Sequence, residues 1–250
     1  DALVLANPEG NIELSHVNFS YTTEKRLIED FNLNVKKGQR IAIVGPTGCG
    51  KTTIINLLMR FYEVNGGSIK VDGVKITDMP REELRGRFGM VLQDTKIFQG
   101  TIRENIAYGK PNASIEEIKQ AAELSFANTF IEKLPDGYDT YISNSDMLSE
   151  GEVQLLNIAR IMLIKPPILI LDEATSNIDL LTEDMIKKAI LELTSNSTSI
   201  IIAHRLSTIK NCDFIVFIEN GNIVEVGTHD ELIDKKGAYY NMYKSQFNII

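Results

Sequence analysis

The chain has 250 residues, a net charge of −8, 43% apolar and 24% charged residues, and two cysteines. This is the make-up of an ordinary soluble protein with one large domain or a domain and subdomain, and it excludes a collagen, a disordered tail and a disulfide scaffold. The acidic balance argues against general nucleic-acid binding, and apolar runs of four or five residues fall far short of the roughly 20 that cross a bilayer.

In chain order, the first 20 residues lack the basic start and apolar run of a signal peptide. The chain begins at Asp1 rather than Met, as expected of a piece of a longer protein. Asn11–Tyr21 alternates apolar and polar residues (Ile12, Leu14, Val17, Phe19, Tyr21), as does Phe31–Val35, which predicts half-buried antiparallel strands. Ile41–Val44 is a short β-branched run of the kind buried on both faces. Gly66-Gly67 and Asp72-Gly73 are turn signals around Ser68–Val71 and predict a hairpin. From about Thr95 to Pro166 the periodicity is helical, with no strong strand. Ile168–Leu171 and Ile200–Ala203 are two more doubly buried strands. The expected fold class is α/β: a mostly parallel core sheet, an antiparallel β subdomain and a helical subdomain. Residues 1–94 and 167–250 would form the core and antiparallel layer, and 95–166 the helical part, of a single domain 1–250. Ligand chemistry is then expected at the carboxyl ends of the core strands. The free thiols Cys49 and Cys212 fit a reducing compartment.

The residues that follow those strand ends carry the chemistry. Gly45-Pro46-Thr47-Gly48-Cys49-Gly50-Lys51-Thr52 fits G-x-x-x-x-G-K-[ST] between a predicted strand and a predicted helix. Glycines let backbone N–H groups converge into an anion nest, and the helix dipole adds to it. Lys51 supplies charge for the β- and γ-phosphates, and Thr52 offers a hydroxyl to Mg²⁺. Together Gly45 to Thr53 would cradle the phosphates. The strand Ile168–Leu171 ends in Asp172 and Glu173. Asp172 is placed to serve Mg²⁺, and Glu173 to orient or deprotonate the attacking water. His204, at the end of the next strand, is placed to hydrogen-bond the γ-phosphate or the water, whereas His16 and His229 carry no such signal. Cys49 is read as a small residue at a variable loop position; a modifiable thiol shielded by ATP is the sharper alternative.

Further residues recur in a family's order. Tyr21 precedes the phosphate loop, Gln93 sits in Val91-Leu92-Gln93-Asp94, and Leu148-Ser149-Glu150-Gly151-Glu152 precedes the Asp172 strand. Ser176-Asn177-Ile178-Asp179 follows it, and Ala203-His204-Arg205 comes last. From about Asn11 to Gln246 the chain resembles the nucleotide-binding domain of ATP-binding cassette (ABC) transporters, a P-loop NTPase core with the ABC ATPase fold. Gln93–Ile106 and Ile201–Ile209 resemble exporters with fused membrane and ATPase parts. The resemblance implies that Tyr21 stacks on adenine and that Gln93 links the γ-phosphate and Mg²⁺ to the membrane domain. It also implies that Ser149, Gly151 and Glu152 act on a partner's ATP, with Asp179 in the D-loop. The implied function is ATP binding and hydrolysis that powers export at the cytoplasmic face of a membrane. The implied partners are a transmembrane domain and a second nucleotide-binding domain.

Two departures stand out. The signature ends in Glu152 where Gln is usual, and Ile142–Met147 lacks the Glu-rich, Gly-containing segment that faces the membrane domain in exporters. Ser149 and Glu152 have capping-box spacing, which accepts Glu or Gln alike. Against that, Glu150 and Glu152 bring two negative charges toward a partner's ATP, which favours a weakened composite site. Such a chain, keeping Glu173, fits one half of a heterodimeric exporter better than a homodimer. Two rival readings are a soluble ABC ATPase unconnected with transport and an ATP-gated module with little turnover. The first usually carries a second cassette or a long coiled-coil insertion, and the second sits poorly with Glu173.

Overall fold

The computed structural model describes residues 8–22, 27–92, 95–172, 178–202 and 206–247. In chain order they form β1 (Ile12–Phe19), β2 (Ile28–Val35), β3 (Arg40–Val44), α1 (Lys51–Leu58), β4 (Gly66–Val71), β5 (Val74–Lys75), α2 (Arg81–Gly86) and β6 (Phe88–Val91). Next come β7 (Gly100–Thr101), α3 (Ile102–Ile106), α4 (Ile115–Leu124), α5 (Asn128–Ile131), β8 (Tyr141–Ile142) and α6 (Glu150–Ile164). The chain closes with β9 (Ile168–Asp172), α7 (Leu180–Thr194), β10 (Thr198–Ile202), α8 (Leu206–Lys210), β11 (Phe214–Glu219), β12 (Asn222–Gly227), α9 (His229–Lys235) and α10 (Ala238–Phe247). They fold as two compact units. One comprises the described residues of Asp1–Phe88, Pro167–Glu173 and Ser197–Ile250; the other those of Gly89–Pro166 and Ala174–Asn196. No described helix is long and apolar enough to cross a membrane.

The first unit holds two sheets. Its core strands run in the order β12-β11-β3-β10-β9, parallel except for β12. The three runs read as doubly buried are β3, β9 and β10, and nearly all their side chains are buried. β11 was not anticipated. It is an apolar run, Phe-Ile-Val-Phe-Ile, that lies parallel against β3. The second sheet, β2-β1-β4-β5, is antiparallel and buries the alternating residues Ile12, Leu14, Val17 and Phe19.

The hairpin around Ser68–Val71 forms, with one correction. Asp72-Gly73, both at positive φ, make the turn between β4 and β5. Gly66-Gly67 is not a turn but the start of β4. It lies opposite an irregularity in β1 at His16, and a β-carbon on Gly67 would stand 2.1 Å from the His16 carbonyl oxygen. The glycine signal there marks a close backbone approach at a bulge.

The second unit is mainly helical, with the short pair β7–β8. Its helices announce their starts. Thr101, Ser114 and Ser149 each accept the N3 backbone N–H while Glu104, Glu117 or Glu152 reaches back, completing a capping box on α3, α4 and α6. Arg160 of α6 lies over the stacked rings of Phe98 and Tyr108 and donates to the Asn105 carbonyl, tying that helix to α3.

Candidate nucleotide site

The phosphate loop grows out of β3. Gly45, Gly48 and Gly50 all have positive φ, and Gly50 opens α1 without any side-chain cap. A helix started in this way leaves its first N–H groups for an outside anion. No acidic residue stands in its first turn. The Lys51 ammonium folds back over the loop, donating to the carbonyls of Gly45 at 2.7 Å and Pro46 at 3.0 Å. Gly45 is required by crowding: a β-carbon would lie 2.1 Å from the Ile218 carbonyl oxygen and 2.8 Å from Cys49 Sγ. Cys49 is only 3% exposed and packs against that glycine. Its burial supports the structural reading of this thiol over the reactive one.

The β11–β12 turn, missed in the sequence, supports the loop from below. Gly221 N–H donates to the Cys49 carbonyl at 2.9 Å. Asn220-Gly221, both at positive φ, was a legible hairpin signal between Phe214–Glu219 and Asn222–Gly227.

The sheet register places Asp172. Ile43 of β3 pairs with Ile202 of β10, and Ile202 pairs with Asp172 of β9. Asp172 therefore stands two strands from the start of the phosphate loop at the same carboxyl edge, roughly 10 Å along the sheet. Thr52 is exposed in the first turn of α1. Thr53 points elsewhere: it is 6% exposed, and its hydroxyl lies 3.2 Å from the Tyr21 hydroxyl. Tyr21 is 50% exposed, with Phe19 and Tyr62 meeting it edge to face at 4.9 and 5.0 Å.

The second unit holds the signature residues. Ser149 caps α6: its Oγ accepts from the Glu152 N–H at 3.3 Å and donates to Glu152 Oε2 at 2.9 Å, while Ser149 N–H donates to the same carboxylate at 2.8 Å. The single hydroxyl proton of Ser149 is thus directed at a carboxylate. Gly151 leaves room for α7, because a β-carbon would stand 2.3 Å from Thr182 Cγ2. Asp179 caps α7 by accepting from Thr182 and Leu181 N–H at 3.0 and 3.1 Å. These bonds, that of Thr182 foremost, hold its carboxyl below the usual range. Gln93, Glu173 and His204 lie outside the described residues.

The ABC transporter family profile matches residues 28–176. The chain is 50% identical over 242 residues to a fatty acid ABC transporter ATP-binding/permease protein of Mycobacterium bovis, covering 96% of this chain and 38% of that protein. It is 51% identical over 239 residues to an uncharacterised ABC transporter ATP-binding protein, YfiC, of Bacillus subtilis, covering 95% and 40%. A bacterial Atm1-family ABC exporter solved with ATP bound superimposes with a TM-score of 0.88 at 40% identity, covering 98% of this chain and 43% of that one. The chain spans about two fifths of the length of the curated relatives it matches. With its glycine-cradled loop on an uncapped helix and its capped signature helix, the chain belongs to the ABC transporter family and has the fold of that family's ATPase domain.

Proposed function

We propose that this chain binds and hydrolyses ATP to power export across a membrane, acting at the cytoplasmic face with a transmembrane domain and a second nucleotide-binding domain. The observation that carries the reading is the phosphate loop: glycines at positive φ, a helix start free of side-chain caps and acidic residues, and Lys51 poised over both. The fused ATP-binding/permease layout named for the Mycobacterium relative supports the link to a membrane domain.

In this reading Gly45, Pro46, Thr47, Gly48, Cys49 and Gly50 wrap the phosphates with backbone N–H groups, and Lys51 neutralises the β- and γ-phosphates. Tyr21 stacks on adenine. Thr52, Asp172 and Gln93 would hold Mg²⁺, which supplies positive charge to the phosphates when bound. One carboxylate, a hydroxyl and an amide suit an ion that keeps its waters and the substrate's oxygens as remaining ligands. Glu173 orients the attacking water and takes its proton, and His204 steadies the γ-phosphate. Ser149 and Gly151 act on the partner's ATP, with Asp179 beside them.

Glu152 tempers that last role. Its carboxylate accepts the proton that Ser149 would offer to a phosphate. The proposal is therefore of a weakened signature, which suits a heterodimer more than a homodimer.

The test is ATP hydrolysis and association of the chain. Mg²⁺-dependent hydrolysis that Lys51→Ala and Glu173→Gln abolish supports the reading; hydrolysis indifferent to both overturns it. Glu173→Gln with Mg-ATP should then be weighed in solution. A dimer identifies a second copy as sufficient, and an ATP-binding monomer points to a different partner chain. Glu152→Gln should raise hydrolysis or association, and if neither changes, the charge argument fails.

A further inference from the structure

We infer that Tyr62 is a positioning residue for the base platform, and that α1 carries both halves of the nucleotide site as one strut. The inference rests on the reading that Tyr21 stacks on adenine. A half-exposed tyrosine on a loop would ordinarily sample several rotamers, and ordering it on binding costs affinity. Here Tyr21 is held on three sides. Phe19, at the end of β1, meets it at 4.9 Å with planes at 85°. Tyr62 meets it at 5.0 Å with planes at 88°, and the Thr53 hydroxyl holds its oxygen at 3.2 Å. Phe19 and Tyr62 also touch each other at 5.8 Å, so the three rings close into one cluster.

Two of the three holds come from α1 and the turn that ends it. Thr53 lies in its first turn, next to Lys51 and Thr52. Its last turn closes with Arg60 N–H on the Leu57 carbonyl and Phe61 N–H on the Asn56 carbonyl. This is the Schellman pair, with Arg60 in the left-handed region at φ 53°. A non-glycine residue there is strained, and Arg60 is anchored for it. Its guanidinium donates to the Ile76 and Met79 carbonyls and to Glu63. The turn delivers Tyr62 onto the Tyr21 ring. An eight-residue helix is about 12 Å long, so one rigid element sets the distance between phosphate loop and base platform. Tyr62 is itself 46% exposed and Tyr21 50%, so both rings of this contact border solvent.

The experiment is calorimetric binding to the full chain, with Mg-ATP and with inorganic tripolyphosphate as the base-free probe. Tyr21→Ala should weaken ATP about fivefold or more and leave tripolyphosphate unchanged. Tyr62→Ala should weaken ATP about two- to tenfold, again sparing tripolyphosphate, and Tyr62→Phe should restore wild-type binding. The double variant should bind ATP no more weakly than Tyr21→Ala alone, because Tyr62 acts through Tyr21. If Tyr62→Ala binds ATP like wild type while Tyr21→Ala does not, the positioning role is wrong and the platform stands. If Tyr62→Ala weakens both probes alike, the residue is merely structural and the inference falls. If Tyr21→Ala binds ATP normally, the platform reading fails and takes the inference with it.

Discussion

The α1 helix begins on a glycine with no side-chain cap, whereas α6 begins on a serine with a complete capping box. Both starts belong to motifs that the proposed function directs at nucleotide phosphates, yet their local chemistry is opposite. The first turn of α1 has no acid and holds a lysine; that of α6 holds Glu150 and Glu152. An uncapped start needs an external acceptor for its N–H groups and offers an approaching anion the positive end of the dipole. A capped start has already met part of that need, and its acids oppose an anion. On the proposed function, the difference separates a helix end open to a ligand from one that holds its own shape without a partner.

The largest effect that would sharpen this contrast is at Lys51. Lys51→Ala should reduce ATP affinity about ten- to hundredfold, as expected for loss of a charged hydrogen bond, with little change in thermal stability. Titration calorimetry reads this directly, and an unchanged affinity breaks the α1 half of the contrast. Gly151→Ala should do the reverse. The added carbon meets Thr182 Cγ2 at 2.3 Å, so denaturant unfolding should show a loss of about 1–3 kcal/mol with ATP affinity of the isolated chain intact. Ser149→Ala should cost about 1 kcal/mol through the lost cap, again without weakening ATP binding to the isolated chain.

The smallest effect concerns pH. The Thr182 and Leu181 N–H groups lower the Asp179 carboxyl from its ordinary 3.8. A lowered folded-state value means stability that is present above the unfolded value and lost as pH falls through the folded one. The gap in Tm between wild type and Asp179→Ala should therefore be full near neutrality and narrow as pH drops below 3.8. A gap that stays constant would assign the cap's contribution to something other than the ionised carboxylate.

Much of this was legible. The runs Ile41–Val44, Ile168–Leu171 and Ile200–Ala203 identify β3, β9 and β10 to within a residue or two, because strands buried on both faces need uninterrupted apolar side chains. Ser149-x-x-Glu152 forms the box that its spacing predicts, since capping is local and depends on four residues. Long-range partnerships were not legible. Nothing near Thr53 in the sequence shows that its hydroxyl meets Tyr21, or that the end of α1 returns Tyr62 to the same ring. Gly67 carried a strong signal with the wrong cause, as a turn and a tight strand crossing both favour glycine. β11 was readable as an apolar run but led to no motif, and its part in bracing the phosphate loop emerges only through Gly221 and Cys49.

On the proposed function, the open start of α1 takes the phosphates while the capped start of α6 does not do so alone. Hydrogen exchange on Glu173→Gln with Mg-ATP, dilute enough to remain monomeric, tests it most directly. Slowed exchange is expected at the amides of 48–53 and unchanged exchange at those of 151–153. No protection at 48–53, or equal protection at both helix starts in the monomer, would contradict it.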